Sequence, residues 1–111
     1  MPFQATALYV TKAALFRTLG HPARVRILEL LRDGELSVGS LQAALEIESG
    51  GTSQHLAALR RIGLVESRRE GTSVFYRVSG PEVFALLEVG RSIVARTLTE
   101  QQSMLNDLET G

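Results

Sequence analysis

Apolar residues recur at spacings of three and four along most of the chain, and that period changes once. Ala7, Leu8, Val10, Ala14, Leu15 and Leu19 mark one face of a first helix over about residues 6–18, closed by Gly20. His21-Pro22 restarts the chain, because proline is tolerated at the first helical position. Val25, Ile27, Leu28, Leu30 and Leu31 then give a second helix, about 22–32, a wide apolar face, and Asp33-Gly34 stops it. Ser37 is a fitting N-cap for a short third helix, about 38–46, with Leu41, Ala44 and Leu45 inward. A break at Glu48-Ser49-Gly50-Gly51 precedes a fourth helix, about 51–62, striped by Leu56, Leu59 and Ile62, and Gly63 suits its C-terminal turn.

The period then shortens to two. Residues 64–69 and 73–78 read as two strands, and Glu70-Gly71 between them is a hairpin signal, since glycine accepts the positive φ of tight turns. Ser79-Gly80-Pro81-Glu82 is a capping box with proline in the first turn. A last helix over about 81–107 carries Val83, Leu86, Leu87, Gly90, Val94, Leu98, Leu105 and Leu108 on one drifting stripe. The fold predicted is mainly α with a small β-hairpin, an α+β chain of four helices, two strands and a long terminal helix. It reads as a single domain over 1–111, with a core over 19–79 and packing helices at 5–18 and 81–107. A chain of 111 residues buries only a modest core, so the terminal stripe gains from a second subunit.

Charge placement changes this picture more than the net charge of zero. The segment 52–79 carries Arg60, Arg61, Arg68, Arg69 and Arg77 against Glu66 and Glu70, whereas 80–111 carries five acidic residues against Arg91 and Arg96. All the basic residues except Lys12 are arginine, the side chain that makes bidentate contacts with phosphate and guanine. A basic middle that holds a helix, a turn, a second helix and a two-stranded ribbon is a winged helix-turn-helix pattern. One helix fits the major groove and the ribbon tip reaches phosphates. The expected DNA contacts are Thr52, Ser53, Gln54 and His55 at the start of the second helix, Arg60 and Arg61 further along it, and Arg68, Arg69 and Thr72 at the wing. Strand alternation lets only one of Arg68 and Arg69 face the duplex. Phe75 and Tyr76 read as hairpin packing, and Asp33 and Glu35 as surface charges.

Other chemistries find little support. With no cysteine there is no disulfide, thiolate metal site or cysteine nucleophile. Two histidines, no phosphate-binding loop and no paired acid cluster argue against an enzyme. No apolar run approaches the roughly 18–20 residues of a membrane span, and no signal peptide opens the chain, so a cytoplasmic protein is expected. A nitrogen/oxygen site for nickel or zinc could draw on His21, the one weak candidate ligand, whose simpler role is local packing at the helix start. A winged-helix module for protein interaction, or a regulator acting through a partner protein, is the alternative that the zero net charge and the glycine pair favour.

Three blocks carry a family resemblance. Leu19-Gly20-His21-Pro22-Ala23-Arg24-Val25-Arg26-Ile27-Leu28, then Ser53-Gln54-His55-Leu56-Ala57-Ala58-Leu59-Arg60-Arg61-Ile62-Gly63-Leu64-Val65, then Arg69-Glu70-Gly71 before Tyr76-Arg77-Val78 together resemble the ArsR/SmtB-type bacterial repressors. The resemblance implies a homodimer through the first and last helices, with Leu8, Leu15, Leu87, Val94, Leu98 and Leu105 at its interface. It also implies repression through double-stranded DNA at an inverted repeat, and release by an effector, whose identity the chain does not reveal. The sequence departs from that pattern in three places. Ser37 and Gly39 stand where many relatives have a Cys-x-Cys pair. Ile93 and Arg96 fall where others place histidines on the last helix. Gly50-Gly51 costs the fourth helix about 1–2 kcal/mol of propensity, which predicts a late start or a helix ordered only on DNA.

Overall fold

The computed structural model describes residues 6–47 and 49–110, Ser49 by its backbone alone. Ala5, the earliest expected residue of the first helix, and Glu48, in the expected break, lie outside the described residues. The chain forms two compact units, the first ending at Pro81 and the second beginning at Glu82.

In the first unit, α1 (Ala7–Leu19) starts at Thr6, whose hydroxyl accepts from the Tyr9 N–H at 3.5 Å. α2 (Pro22–Leu30) begins with proline at its first turn and passes into a 3-10 turn over Leu31–Asp33. Gly34 leaves that turn at φ 133°, a conformation closed to ordinary side chains, which is why the chain can swing from helix into strand there. α3 (Val38–Leu45) is capped as expected: the Ser37 hydroxyl accepts from the Ser40 N–H at 3.0 Å. α4 (Ser49–Arg61) begins earlier than its glycines imply. A side chain at Gly50 would meet nothing within 4 Å, so no close approach demands glycine at that position.

The sheet has three antiparallel strands in the order β1 (Leu36–Ser37), β3 (Ser73–Val78), β2 (Val65–Glu70). The hairpin is the one expected, with Glu70 opposite Ser73 and a two-residue loop whose first residue, Gly71, sits at φ 62°. The short strand β1 is a correction to the two-stranded expectation. It pairs Leu36 with Tyr76 and Ser37 with Phe75, and two residues are too few to display a period. Ile27 and Leu28 from α2, Leu41 from α3, and Leu56 and Leu59 from α4 are fully buried and meet Val65 and Tyr76 from the sheet. This core fixes α3 against α4 and roots the wing beside them.

The second unit is one helix, α5 (Glu82–Thr110), 29 residues and therefore about 43 Å long. Val89, Ile93, Val94, Leu98, Met104, Leu105 and Leu108 along it are each at least half exposed. Among the described residues, no helix is long and apolar enough to cross a membrane.

Candidate nucleic-acid interface

At 100° per residue α4 divides into four lines. Thr52, Leu56 and Leu59 form the inward line, none more than 1% exposed. Ser53, Ala57 and Arg60 lie on the flank toward the wing, where the Arg60 guanidinium donates to the Ser67 hydroxyl at 3.3 Å. His55, Ala58 and Ile62 lie on the flank toward α1 and α2. Gln54 and Arg61, two turns apart and both exposed, stand outermost.

Thr52 is therefore a correction to the expected set of DNA contacts. It belongs to the core, and its hydroxyl has no hydrogen-bond partner among the described residues. The sequence hid this because a threonine beside Ser53 and Gln54 looks like part of a polar run, while the core stripe continues through it at i+4 and i+7. A buried hydroxyl without a partner costs about 1–3 kcal/mol. Thr52→Val, which keeps the shape and removes the unpaired group, is expected to raise the unfolding free energy by about 1 kcal/mol without weakening DNA binding, as read by urea denaturation and a duplex titration. A large loss of DNA affinity with unchanged stability would return Thr52 to the interface.

His55 has turned inward from the expected contact face as well. It is half-buried, and its Nδ1 accepts from Arg24 Nε at 3.1 Å, while the His21 ring lies 5.7 Å away, centroid to centroid. Desolvation lowers its pKa from the ordinary histidine value, and the positive charges of Arg24 and His21 push the same way. The unfolded chain thus takes up this proton first as the pH falls. The stability His55 contributes is complete above the ordinary histidine value and is lost as the pH drops through it toward the lower folded value. The melting temperature is expected to fall more steeply from about pH 7 to about pH 5 in the parent than in His55→Gln. Parallel pH curves would mean that His55 titrates alike in both states.

The wing separates its two arginines by face. Opposed pairs share a side of the sheet, so Glu66 with Arg77, Arg68 with Phe75, and Glu70 with Ser73 lie on one face, and Val65, Ser67 and Arg69 lie on the other. Arg68 Nε donates to both carboxylate oxygens of Glu35 at 2.9 and 3.0 Å, Nη2 donates to Glu35 Oε1, and Nη1 donates to Glu70 Oε2 at 2.8 Å. Its guanidinium lies 4.6 Å over the Phe75 ring. These hydrogen bonds from Arg68 hold the Glu35 carboxyl below the usual carboxylate range. Arg68 thus ties the wing to the segment ahead of β1. Arg69 shares the face of Ser67, the side on which α4 lies, is exposed, and has no carboxylate partner among the described residues. In the sequence Glu35 reads only as a surface charge beside a loop. Once Leu36 is known to oppose Tyr76, the preceding residue falls opposite Arg77, on the face of the sheet that Phe75 and Arg68 share.

A groove of about 440 Å³ runs between these parts, lined by Ser37, Val38 and Gly39 at the start of α3, Ser53 of α4, and Thr72, Ser73 and Val74 of the wing. Hydroxyls and the N-terminal turn of α3 face one channel here, a chemistry that suits a sugar-phosphate strand. Soft-metal chemistry does not fit the same place: the Ser37 hydroxyl is committed to capping α3, and Gly39 offers no side chain. His21 lies among arginines, and no group of three or more His, Cys, Asp or Glu side chains gathers anywhere among the described residues.

Along α1, Leu8 is 61% exposed and Leu15 half-buried. Along α5, Val94, Leu98 and Leu105 are each more than half exposed, and Leu87 lies on the same line nearer the start of the helix.

Comparison with known proteins agrees with this arrangement. Residues 21–67 match the family model described as bacterial regulatory protein, arsR family. The uncharacterized HTH-type transcriptional regulator Rv0081 of Mycobacterium tuberculosis is 43% identical over 97% of this chain and 96% of its own length. Its crystal structure superposes with a TM-score of 0.80, covering 86% of this chain and 97% of that one at 44% identity. The transcriptional activator HlyU of Vibrio cholerae is 47% identical over 68% of this chain and 69% of its own. The solution structure of Mb0332 from Mycobacterium bovis, a homodimeric winged helix-turn-helix DNA-binding domain, has a TM-score of 0.74 at 34% identity, covering 86% of this chain and 91% of that one.

Proposed function

Because the chain belongs to the arsR family of bacterial regulatory proteins, we propose that this DNA-binding transcriptional regulator acts in the cytoplasm as a homodimer that occupies an inverted-repeat operator and represses the promoter it overlaps. The observation that carries this reading is the exposure of Gln54 on the outermost line of α4, with Ser53 and Arg60 exposed on the flank toward the wing and Arg69 exposed on the face of the wing that this flank meets. The Gln54 amide is the base-reading group, since a glutamine can both donate to and accept from an adenine edge in the major groove. Ser53 and the hydroxyls of the groove beside it hold one strand, and Arg60 and Arg69 neutralise phosphates. α3 braces α4 from behind through the shared core, so the reading helix enters the groove with little ordering left to do.

Dimerisation rests on the apolar residues of α1 and α5. Leu8, Val94, Leu98 and Leu105 are too exposed for a chain on its own, and the homodimeric state of Mb0332 supports the same arrangement. A two-fold pair would present its two reading helices about 34–36 Å apart, one turn of DNA.

The test is selection of an operator from a random duplex pool, followed by titration at rising salt. Log affinity is expected to fall linearly with log salt, with a slope of about −0.9 for each phosphate neutralised, and the selected sites should be two-fold repeats. A pool with no enriched repeat, and no binding even at low salt, would refute the proposal.

A further inference from the structure

On the other side of α4 from the wing lies a second concavity, of about 410 Å³, between α1, α2 and α4. Its lining holds Arg17 of α1, His21 and Arg24 of α2, and Arg61 of α4, with Ala14, Thr18, Ala58 and Ile62 as its apolar remainder, and it includes no carboxylate. None of the three arginines has an ion-pair partner among the described residues, although the chain elsewhere pairs Arg68 and Arg77 with glutamates. One guanidinium is already held in place. Arg24 donates through Nη1 to the Thr18 carbonyl at 3.2 Å and through Nε to His55 at 3.1 Å, so a ligand need not pay for ordering it. The first turn of α2 adds to this field: His21 stands at its N-cap position without a side-chain hydrogen bond to the turn, and the N-terminal amides of a helix favour an anion. Three arginines converging on a cavity of this size, without a counter-charge, make a receptor for a compact dianion.

We propose that the cleft between α1, α2 and α4 is an anion-binding site for a phosphate group, with Arg17 and Arg61 as the clamping side chains and Arg24 as the fixed one. The group can come from a small phosphorylated molecule or from the DNA backbone. In either case it joins α1 and α2 to the far end of the reading helix, so its occupancy bears on how α4 is held. The site stands independently of the operator proposal, because its first test contains no DNA.

The experiment is calorimetric titration of the intact protein with inorganic phosphate, against sodium chloride at matched ionic strength. One phosphate per chain is expected, weakened at least tenfold by Arg17→Ala or Arg61→Ala and unchanged by Arg26→Ala, which removes an exposed arginine of α2 outside the lining. Arg61→Lys, which keeps the charge and the fold but loses the planar fork, is expected to bind at an intermediate level. A parallel titration with duplex DNA in phosphate-free buffer separates the two sources. If Arg17→Ala loses phosphate and keeps DNA affinity, the occupant is a free small molecule. If it loses DNA affinity alike for all sequences, and phosphate competes with the duplex, the occupant is the backbone. The proposal is overturned if phosphate gives no heat beyond that of chloride and both alanine variants bind DNA as the parent does. It is equally overturned if Arg26→Ala weakens phosphate as much as they do.

Discussion

Leu98→Asp is expected to split the dimer and to lower affinity for a full operator at least a hundredfold, while affinity for a half-site stays within about twofold. Leu98 sits 59% exposed near the middle of the α5 stripe, between Val94 and Leu105. In a dimer built on this stripe the new carboxylate and its symmetry mate would both be buried without partners. Leaving a buried charge unpaired costs about 3–5 kcal/mol, and each 1.4 kcal/mol is a factor of ten. Sedimentation equilibrium reads the mass and anisotropy reads the affinity, and the two must change together. A variant that stays dimeric with parental affinity would move the interface off α5. One that loses half-site binding as well would mean that the fold itself had failed, which circular dichroism would reveal.

The second large effect separates reading from holding. Gln54→Ala is expected to weaken the selected operator by roughly 5- to 150-fold and to leave random duplex almost untouched, because a good side-chain contact with a base edge is worth about 1–3 kcal/mol of discrimination. Arg69→Ala is expected to weaken both duplexes alike and to make the salt slope shallower by about 0.9 for each phosphate it no longer neutralises. Arg68→Ala is the informative control. Its guanidinium is committed to Glu35, Glu70 and the Phe75 ring, so its removal loosens the wing and leaves the salt slope unchanged. If Arg68→Ala flattens the slope and Arg69→Ala does not, the two faces of the wing have been assigned the wrong way round. If Gln54→Ala loses affinity equally on every sequence, α4 holds the duplex and does not read it.

These assignments differ in how far the chain announced them. The helices were legible because each carries its own period and its own stop. Ser37 capping α3, Gly63 after α4 and Gly71 in the hairpin are local devices, and local rules found them. The side of α4 facing outward was legible for Ser53 and Gln54, because Leu56 and Leu59 define the opposite side. Thr52 was misjudged for want of the same test, since a hydroxyl carries no sign of whether it faces water or leucine.

What the sequence determined by itself is the set of elements, their order and the basic middle of the chain, for these depend on neighbours within a few residues. What only the tertiary structure decided is which charges are already spoken for. Glu35 meets Arg68 across 33 positions, Arg24 meets His55 across 31, and Arg17 reaches the cleft that Arg61 lines from another helix. An arginine on a strand or a helix looks the same in sequence whether its partner is a glutamate or a phosphate. The difference is a distance, and distances between remote residues exist only once the core has brought the elements together.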